Sequence, residues 1–337
     1  MTAMAEVILD HDADVAAAPA PPPFSPVQGT LFQQPWWLDA VAPGGWSAAR
    51  IVRDGELVGY LPYVINGPPG LRFSTQPPLT TTLGPWVRAT SDDYRHALAE
   101  QHEILAKLIS CLPPFGHLAQ RCPPEFTDGL PFVWAGFDVR VGYTYRLFEL
   151  DDLDRVWAGL ETQRRRATKK ARRTLEVAID TELEPVLPLS DSNLWRAGVP
   201  IAPTRDTVRR IDLACRGRAA CSLLTARDVR GAPHAFVYLV HDEETTFYIL
   251  GGTDDSGRAA GAMTLLLWEG IRCAAARGTV FDFDGSMVET IERFFRSFGA
   301  KQVPYLTVSR TRSAARPVIP LARAVRRFRR GLPWSRG

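Results

Sequence analysis

The segment that decides the fold reads Phe281-Asp282-Phe283-Asp284-Gly285-Ser286-Met287, followed by Ile291-Glu292-Arg293-Phe294-Phe295-Arg296-Ser297-Phe298-Gly299-Ala300. Side chains alternate along a strand, so both aspartates share one face and both phenylalanines the other. An interior strand under helices is normally apolar on both faces. Two carboxylates there are costly unless something bonds them or their face lines a cleft. Like charges this close also raise one pKa, which suits a proton acceptor. The plainer alternative is that one aspartate caps the next helix or ties down a loop. Ile291, Phe294, Phe295 and Phe298 recur at helical spacing and predict a buried stripe ended by Gly299. Arg296, four residues after Glu292, either makes an i,i+4 ion pair or faces the cleft and stabilises an oxyanion or phosphate.

Upstream, Gly251-Gly252-Thr253-Asp254-Asp255-Ser256-Gly257-Arg258-Ala259-Ala260-Gly261-Ala262-Met263 predicts a strand end, a small-residue loop and the start of a helix. Unpaired N–H groups at a helix start attract phosphate, and glycines let it approach the main chain. Arg258 adds a cation at the same place. Alternatively, the glycines only make a tight loop.

Working outward, a short amphipathic helix is expected at Trp36, Trp37, Leu38 and Val41, and further helices near residues 92–112, 151–174, 204–216, 261–276 and 288–298. Strands are expected at 48–53 and 57–65, joined by Asp54-Gly55, a strong hairpin signal. Further strands are expected near 71–75, 117–121, 132–150, 221–227, 234–241, 246–250, 280–283 and 304–310. The two halves share an element order, a weak repeat. The expected fold is mixed α/β, α+β-like in character. Its expected parts are a disordered tail (1–27), two domains (28–150, and 151–310 carrying the site) and a basic tail (311–337).

The chain of 337 residues is long enough for two cores. No apolar run is long enough to span a bilayer, and the acidic start (Glu6, Asp10, Asp12, Asp14) is unlike a signal peptide. Five cysteines without a CxxC pair argue against a zinc site or disulfide framework. A cytoplasmic protein is expected, at the inner face of the membrane if the basic tail binds lipid. The net charge of +3 hides nine arginines and no acid in residues 310–337. A second basic run covers Arg164, Arg165, Arg166, Lys169, Lys170, Arg172 and Arg173, either a phosphate-attracting patch or a solvated helix face. Nucleophile-elbow, P-loop, dinucleotide and HExxH patterns are all missing, and no histidine spacing suggests a metal.

Together, Gly251-Gly252-Thr253, Gly261-Ala262-Met263, Phe281–Met287 and Phe294–Ala300 resemble the FemAB-like, or BioF2-like, branch of the GCN5-related N-acetyltransferase (GNAT) superfamily. Gln34–Leu38 and Pro77–Pro85 are similar to its first domain. The resemblance implies tandem GNAT-like domains, each a mixed, mostly antiparallel sheet flanked by helices. It implies acyl transfer from acyl-CoA, held as a substrate rather than a resident cofactor, to a small-molecule or peptide amine. Gly251, Gly252, Arg258, Gly261, Ala262 and Met263 would bind the donor, although Met263 stands where the superfamily pattern has a small residue. Asp282, Asp284 and Arg296 would be catalytic, and Trp37, Ser286, Glu292 and Tyr305 would contact the acceptor. Arg296 stands where some members carry lysine, so charge is kept and proton transfer lost; Arg296→Met is expected to lower turnover strongly. No lysine follows Trp37, unlike the cell-wall members. An aminoacyl-tRNA donor, tracked by Arg164–Arg173 and the C-terminal tail, is the alternative. A non-catalytic membrane-surface protein, docking through residues 317–334, is a third.

Overall fold

The computed structural model of the chain describes residues 6–8, 29–67, 72–88, 90–180, 182–190, 203–285 and 287–312. Among these, thirteen strands form two sheets. The smaller has the order β1 (Glu6–Ile8), β2 (Trp46–Arg53), β3 (Glu56–Val64), β5 (Trp86–Val87). The Asp54-Gly55 turn does join β2 to β3, with both residues at positive φ.

The larger sheet has nine strands. Its order is β4 (Phe73–Thr75), β6 (His117–Arg121), β13 (Lys301–Thr311), β7 (Asp138–Leu147), β12 (Val280–Asp282), β11 (Thr245–Thr253), β10 (Pro233–His241), β9 (Cys221–Arg227) and β8 (Glu176–Asp180). Only the β4–β6 and β11–β12 pairs are parallel. The mixed, mostly antiparallel α/β architecture is the expected one, but the sheets do not divide at residue 150. Strand β13 is eleven residues long and pairs with β7 on one side and β6 on the other. One sheet therefore runs through both halves.

Three large apolar clusters, and a small fourth at Ala48 and Tyr60, cover the sheets. On one face of the large sheet lie α4 (Leu153–Gly159), α5 (Thr162–Ala171), α8 (Ala262–Arg277) and α9 (Glu289–Arg296). Helix α8 buries Leu265, Leu266, Leu267 and Ile271, worth about 1.5–3 kcal/mol each. The opposite face packs against the 3₁₀ turn Leu31–Gln33, α1 (Pro35–Val41) and α6 (Arg205–Arg216). A third cluster joins α2 (Tyr94–Ser110) and α3 (Leu130–Trp134) to β2, β3, β6 and β13.

Several expectations need correction. The single helix over 151–174 is two helices, because Leu160 is extended and inserts into the core; Arg165 donates to the carbonyls of Ala158 and Leu160 across the break. The strand expected from Phe132 starts at Asp138. Pro131 sits in the first turn of α3 and Gly136, at φ 78°, reverses the chain. The loop expected at 254–260 contains a short helix, α7 (Asp255–Ala260), capped by Asp254, which accepts from the Gly257 N–H at 2.7 Å. Strands β1, β5 and β8 have no counterpart among the expected strands, and β1 lies within the segment expected to be disordered, where Glu6–Ile8 pair with β2.

Candidate functional site

Strand β12 is wedged between β7 and β11. It pairs with β11 only at Thr245–Phe247, while β11 continues to Thr253. Beyond Phe247 the two strands part. At this fork Phe281 and Phe283 turn to the helix-covered face, their rings 4.8 Å apart, and both are fully buried. Asp282 and Asp284 line a small pocket on the opposite side with Thr81, Thr82, Arg121, Thr144, Arg146 and Tyr305. The alternation expected from sequence is what forms.

The two carboxylates differ sharply. Asp282 is 1% exposed and accepts from the Thr144 hydroxyl (2.5 Å), the Arg146 Nε (2.6 Å) and the Asp284 N–H (2.8 Å). Arg146 also donates to Glu125 at 2.6 Å. Asp282 thus clamps β7 to β12, and its lone pairs are engaged.

Asp284 stands just past the strand, at φ 55°, with Gly285 at φ 34°. A Cβ on Gly285 would lie 2.5 Å from the Thr144 Cα, so the turn requires glycine. Asp284 keeps about 30% of its side chain open. Its carboxyl is nevertheless pushed up to about 7, first by burial and further by the Asp282 charge, while Arg121 and the Thr81 hydroxyl pull it down. Arg121 lies 3.9 Å away, with its guanidinium 5.7 Å over the Tyr305 ring. Tyr305 lies across Gly142, where a Cβ would come within 2.5 Å of the ring. Burial raises the Tyr305 hydroxyl, which stays protonated. Across the fork, the Tyr248 hydroxyl is raised by burial and by the Asp284 charge.

Arg296 is not in this pocket. Its Nε donates to Glu292 at 2.8 Å, and its side chain is 59% exposed. Glu292 also accepts from the Tyr145 hydroxyl (2.8 Å), which in turn accepts from Gln302 (2.7 Å). Tyr145 points to the helix-covered face, one residue out of phase with Thr144 and Arg146. The i,i+4 ion pair is what forms, and Arg296 and Glu292 sit across the sheet from Asp282.

In the upstream segment the glycines answer to the protein's own packing. A Cβ on Gly251 would lie 2.5 Å from the Tyr248 hydroxyl, and one on Gly252 would strike the backbone of Leu189. Gly261 (φ 86°) links α7 to α8 beneath Ala167 of α5. Ala262 is buried and Met263 packs against the core. Arg258 donates to Asp255 at 3.0 Å. The first turn of α8 is flanked by cations that sequence reasoning placed elsewhere. Arg164 donates to the Thr264 hydroxyl (3.3 Å), lies 4.9 Å over the Phe294 ring, and has a buried Nε without a partner. Lys170 donates to the Ala259 carbonyl at 2.9 Å.

Trp37, expected to touch the acceptor, is fully buried against Phe32. Its indole N–H donates to the Thr80 hydroxyl at 3.0 Å, anchoring the loop that carries Thr81 and Thr82. Ser286 lies outside the described residues. Arg121, Arg146, Thr81 and Tyr248 were missed, because nothing local marks them. A larger cleft of about 1170 Å³, lined by Trp36, Trp86, Glu125, Phe126 and Asp242, meets the small pocket at Arg146. Among the described residues no cluster of side chains suits a metal, and no helix is long and apolar enough to cross a membrane.

Residues 155–296 match the family model described as an acetyltransferase (GNAT) domain. No curated protein matches the chain. Among solved structures, FemX is similar at 15% identity and a TM-score of 0.61, over 89% of this chain and 96% of that one. The C-terminal domain of a putative lysylphosphatidylglycerol synthetase from Agrobacterium fabrum is similar at 14% identity and a TM-score of 0.50, over 79% and 85%. A conserved protein of unknown function from Bacteroides thetaiotaomicron is similar at 12% identity and a TM-score of 0.50, over 82% and 90%. At these identities the likeness is one of fold.

Proposed function

Taking residues 155–296 as a domain of the acetyltransferase (GNAT) family, we propose that the chain transfers an acyl group from acyl-CoA to an amine. In this reading the donor's phosphates lie at the first turn of α8, beside Arg164, Lys170 and Arg258. The acyl thioester enters the fork between β11 and β12. The acceptor ammonium gives a proton to the Asp284 carboxylate, and the free amine attacks the thioester carbonyl. The C–S bond breaks as the amide forms, and the second proton that the attacking nitrogen gives up goes to the departing thiolate. Tyr305, held protonated, donates to charge developing on oxygen or sulfur. Asp282 positions the fork, and Arg296 keeps Glu292 and Tyr145 in place.

The observation that carries this reading is the placement of Asp284: a carboxyl about 30% open where β11 and β12 part, 3.9 Å from Arg121 and without a direct ion-pair hydrogen bond. Burial pushes its titration up to about 7. A general base works best when its pKa lies near the operating pH. Release of free CoA from acetyl-CoA, followed over a panel of primary amines, tests it. Asp284→Asn should lower kcat by roughly 10²–10⁴-fold while acetyl-CoA still raises the melting temperature. A variant that keeps full turnover would remove Asp284 from the chemistry.

The second reading takes an aminoacyl-tRNA as donor. It is favoured by Arg166, Lys169 and Arg173, which project into solvent from the α5 region. Other members of the run are engaged internally: Arg172 pairs with Glu269 at 2.7 Å. Copurifying tRNA whose binding falls steeply with salt would favour this donor.

A further inference from the structure

The arginine-rich stretch 317–334, expected to meet lipid, lies outside the described residues. The acidic side chains that line the large cleft are all within them. At about 1170 Å³ this cleft exceeds an ordinary small-molecule pocket, and it opens into the small pocket at Arg146. Its floor is the sheet face that carries Asp282. Phe247 is the register partner of Asp282, and Thr245 that of Val280. From Asp284 to the level of Thr245 is four residues, roughly 13 Å at the rise of a strand. The β10–β11 turn follows directly, with Asp242, Glu243 and Glu244 on the cleft lining. Trp36, Trp86 and Phe126 supply aromatic wall.

The charges in this cleft differ in number and in availability. Arg146 is engaged by Asp282 and Glu125, each at 2.6 Å. Arg218 lies 4.8 Å over the Trp36 ring and donates to the Ala214 carbonyl at 3.0 Å. His241 is held neutral, because burial and then the Arg277 charge push it down to about 4. Among the acids, Asp128 pairs with His102, and Asp242 ties the turn by accepting from the Glu244 and Thr245 N–H groups. Glu243 and Glu244 are exposed and make no ion pair among the described residues. Glu125 keeps 60% of its side chain open. At the inner end, Thr81 is only 7% exposed, and its hydroxyl, beside Asp284, has no partner at full hydrogen-bonding distance. An ammonium group arriving there would satisfy it.

Resting on the acyl-transfer reading above, we propose that the acceptor is an elongated amine with at least two ammonium groups, a linear polyamine lying along this cleft. One terminal nitrogen reaches Asp284 and Thr81. The distal ammonium lies against Glu243 and Glu244, and the methylene stem runs over Phe247. Aromatic walls suit both parts, since alkyl stems bury against rings and cations lie over ring faces. A monoamine leaves the acidic end unmatched, and an acidic acceptor brings like charge against it.

Turnover of acetyl-CoA with spermine and with hexylamine, together with calorimetry of spermine binding in the absence of donor, tests this. Spermine should have a KM at least about tenfold below that of hexylamine, as two exposed ion pairs allow. Its binding should weaken with salt. Glu243→Gln combined with Glu244→Gln should narrow the preference to within about threefold and weaken spermine binding in calorimetry. Both side chains are exposed, and an unchanged melting temperature verifies that the variant folds. Equal KM values for the two amines would overturn the proposal and leave acyl transfer standing. A spermine preference that survives intact in the double variant would also overturn it, because the distal ammonium would then sit elsewhere. Spermine binding that the double variant loses, without acetylation of either amine, would support the cleft as a polyamine site and remove the acyl-transfer reading. Neither binding nor turnover would overturn both.

Discussion

Asp282 and Asp284 are two residues apart, face the same pocket, and have opposite fates. Asp282 ends a paired strand: three donors converge on it, and Arg146 carries the neutralising charge. Asp284 stands one step beyond the pairing, where the chain enters a left-handed turn and the flanking strands have parted. Its cation is 3.9 Å away rather than in hydrogen-bonding contact. Burial then dominates, and the carboxyl holds its proton to near neutrality. The lesson is about position relative to the ladder. A carboxylate inside it is consumed as a clamp, whereas one at its frayed end stays available.

The largest effect should come from breaking the clamp. Asp282→Ala leaves Arg146 buried without its main partner and should cost about 3–5 kcal/mol in urea denaturation. Loss below about 1 kcal/mol would mean that the pair is not the joint between β7 and β12. Next is the wall of the open site. Gly142→Val collides with the Tyr305 ring and should cost about 1–3 kcal/mol. Turnover should fall more than with Tyr305→Phe, which keeps the ring.

A smaller and opposite effect is expected at Asp284. Its folded-state pKa lies above the unfolded value, so the native state binds the extra proton between about pH 4 and 7. Stability from this group is full at low pH and is lost as pH rises to 7. Asp284→Asn should therefore stabilise the protein by on the order of 2 kcal/mol at pH 8, with the gain gone at pH 4. A melting-temperature series across this range reads the sign. The smallest effect is at Arg296. Its ion pair is solvent-exposed, so Arg296→Met should leave turnover within about threefold. A large loss would return it to the chemistry and reverse the assignment made from its partner.

How much of this was legible in the sequence depends on distance along the chain. Strand alternation put Asp282 and Asp284 on one face, the aromatic spacing gave the stripe at Phe294–Phe298, and Asp54-Gly55 gave its hairpin. These are local signals. The partners that separate the two aspartates arrive from far away. Arg146 and Thr144 are more than 130 residues upstream, and Arg121 and Tyr305 meet only because β13 inserts between β6 and β7. No local pattern encodes that insertion. Gly251 and Gly252 illustrate the converse error. Their pattern suggests a ligand, yet Tyr248 and Leu189 occupy the space that a side chain would need. Trp37 likewise acts at one remove, through Thr80.

The dependence of kcat/KM on pH, in native protein and in Asp284→Asn, tests the central assignment most directly. The native enzyme should lose activity below an inflection near pH 7, with slope one, as Asp284 takes its proton. The variant's residual activity should lack that inflection. An inflection that persists unchanged in Asp284→Asn would contradict the account, because another group would then be the proton acceptor.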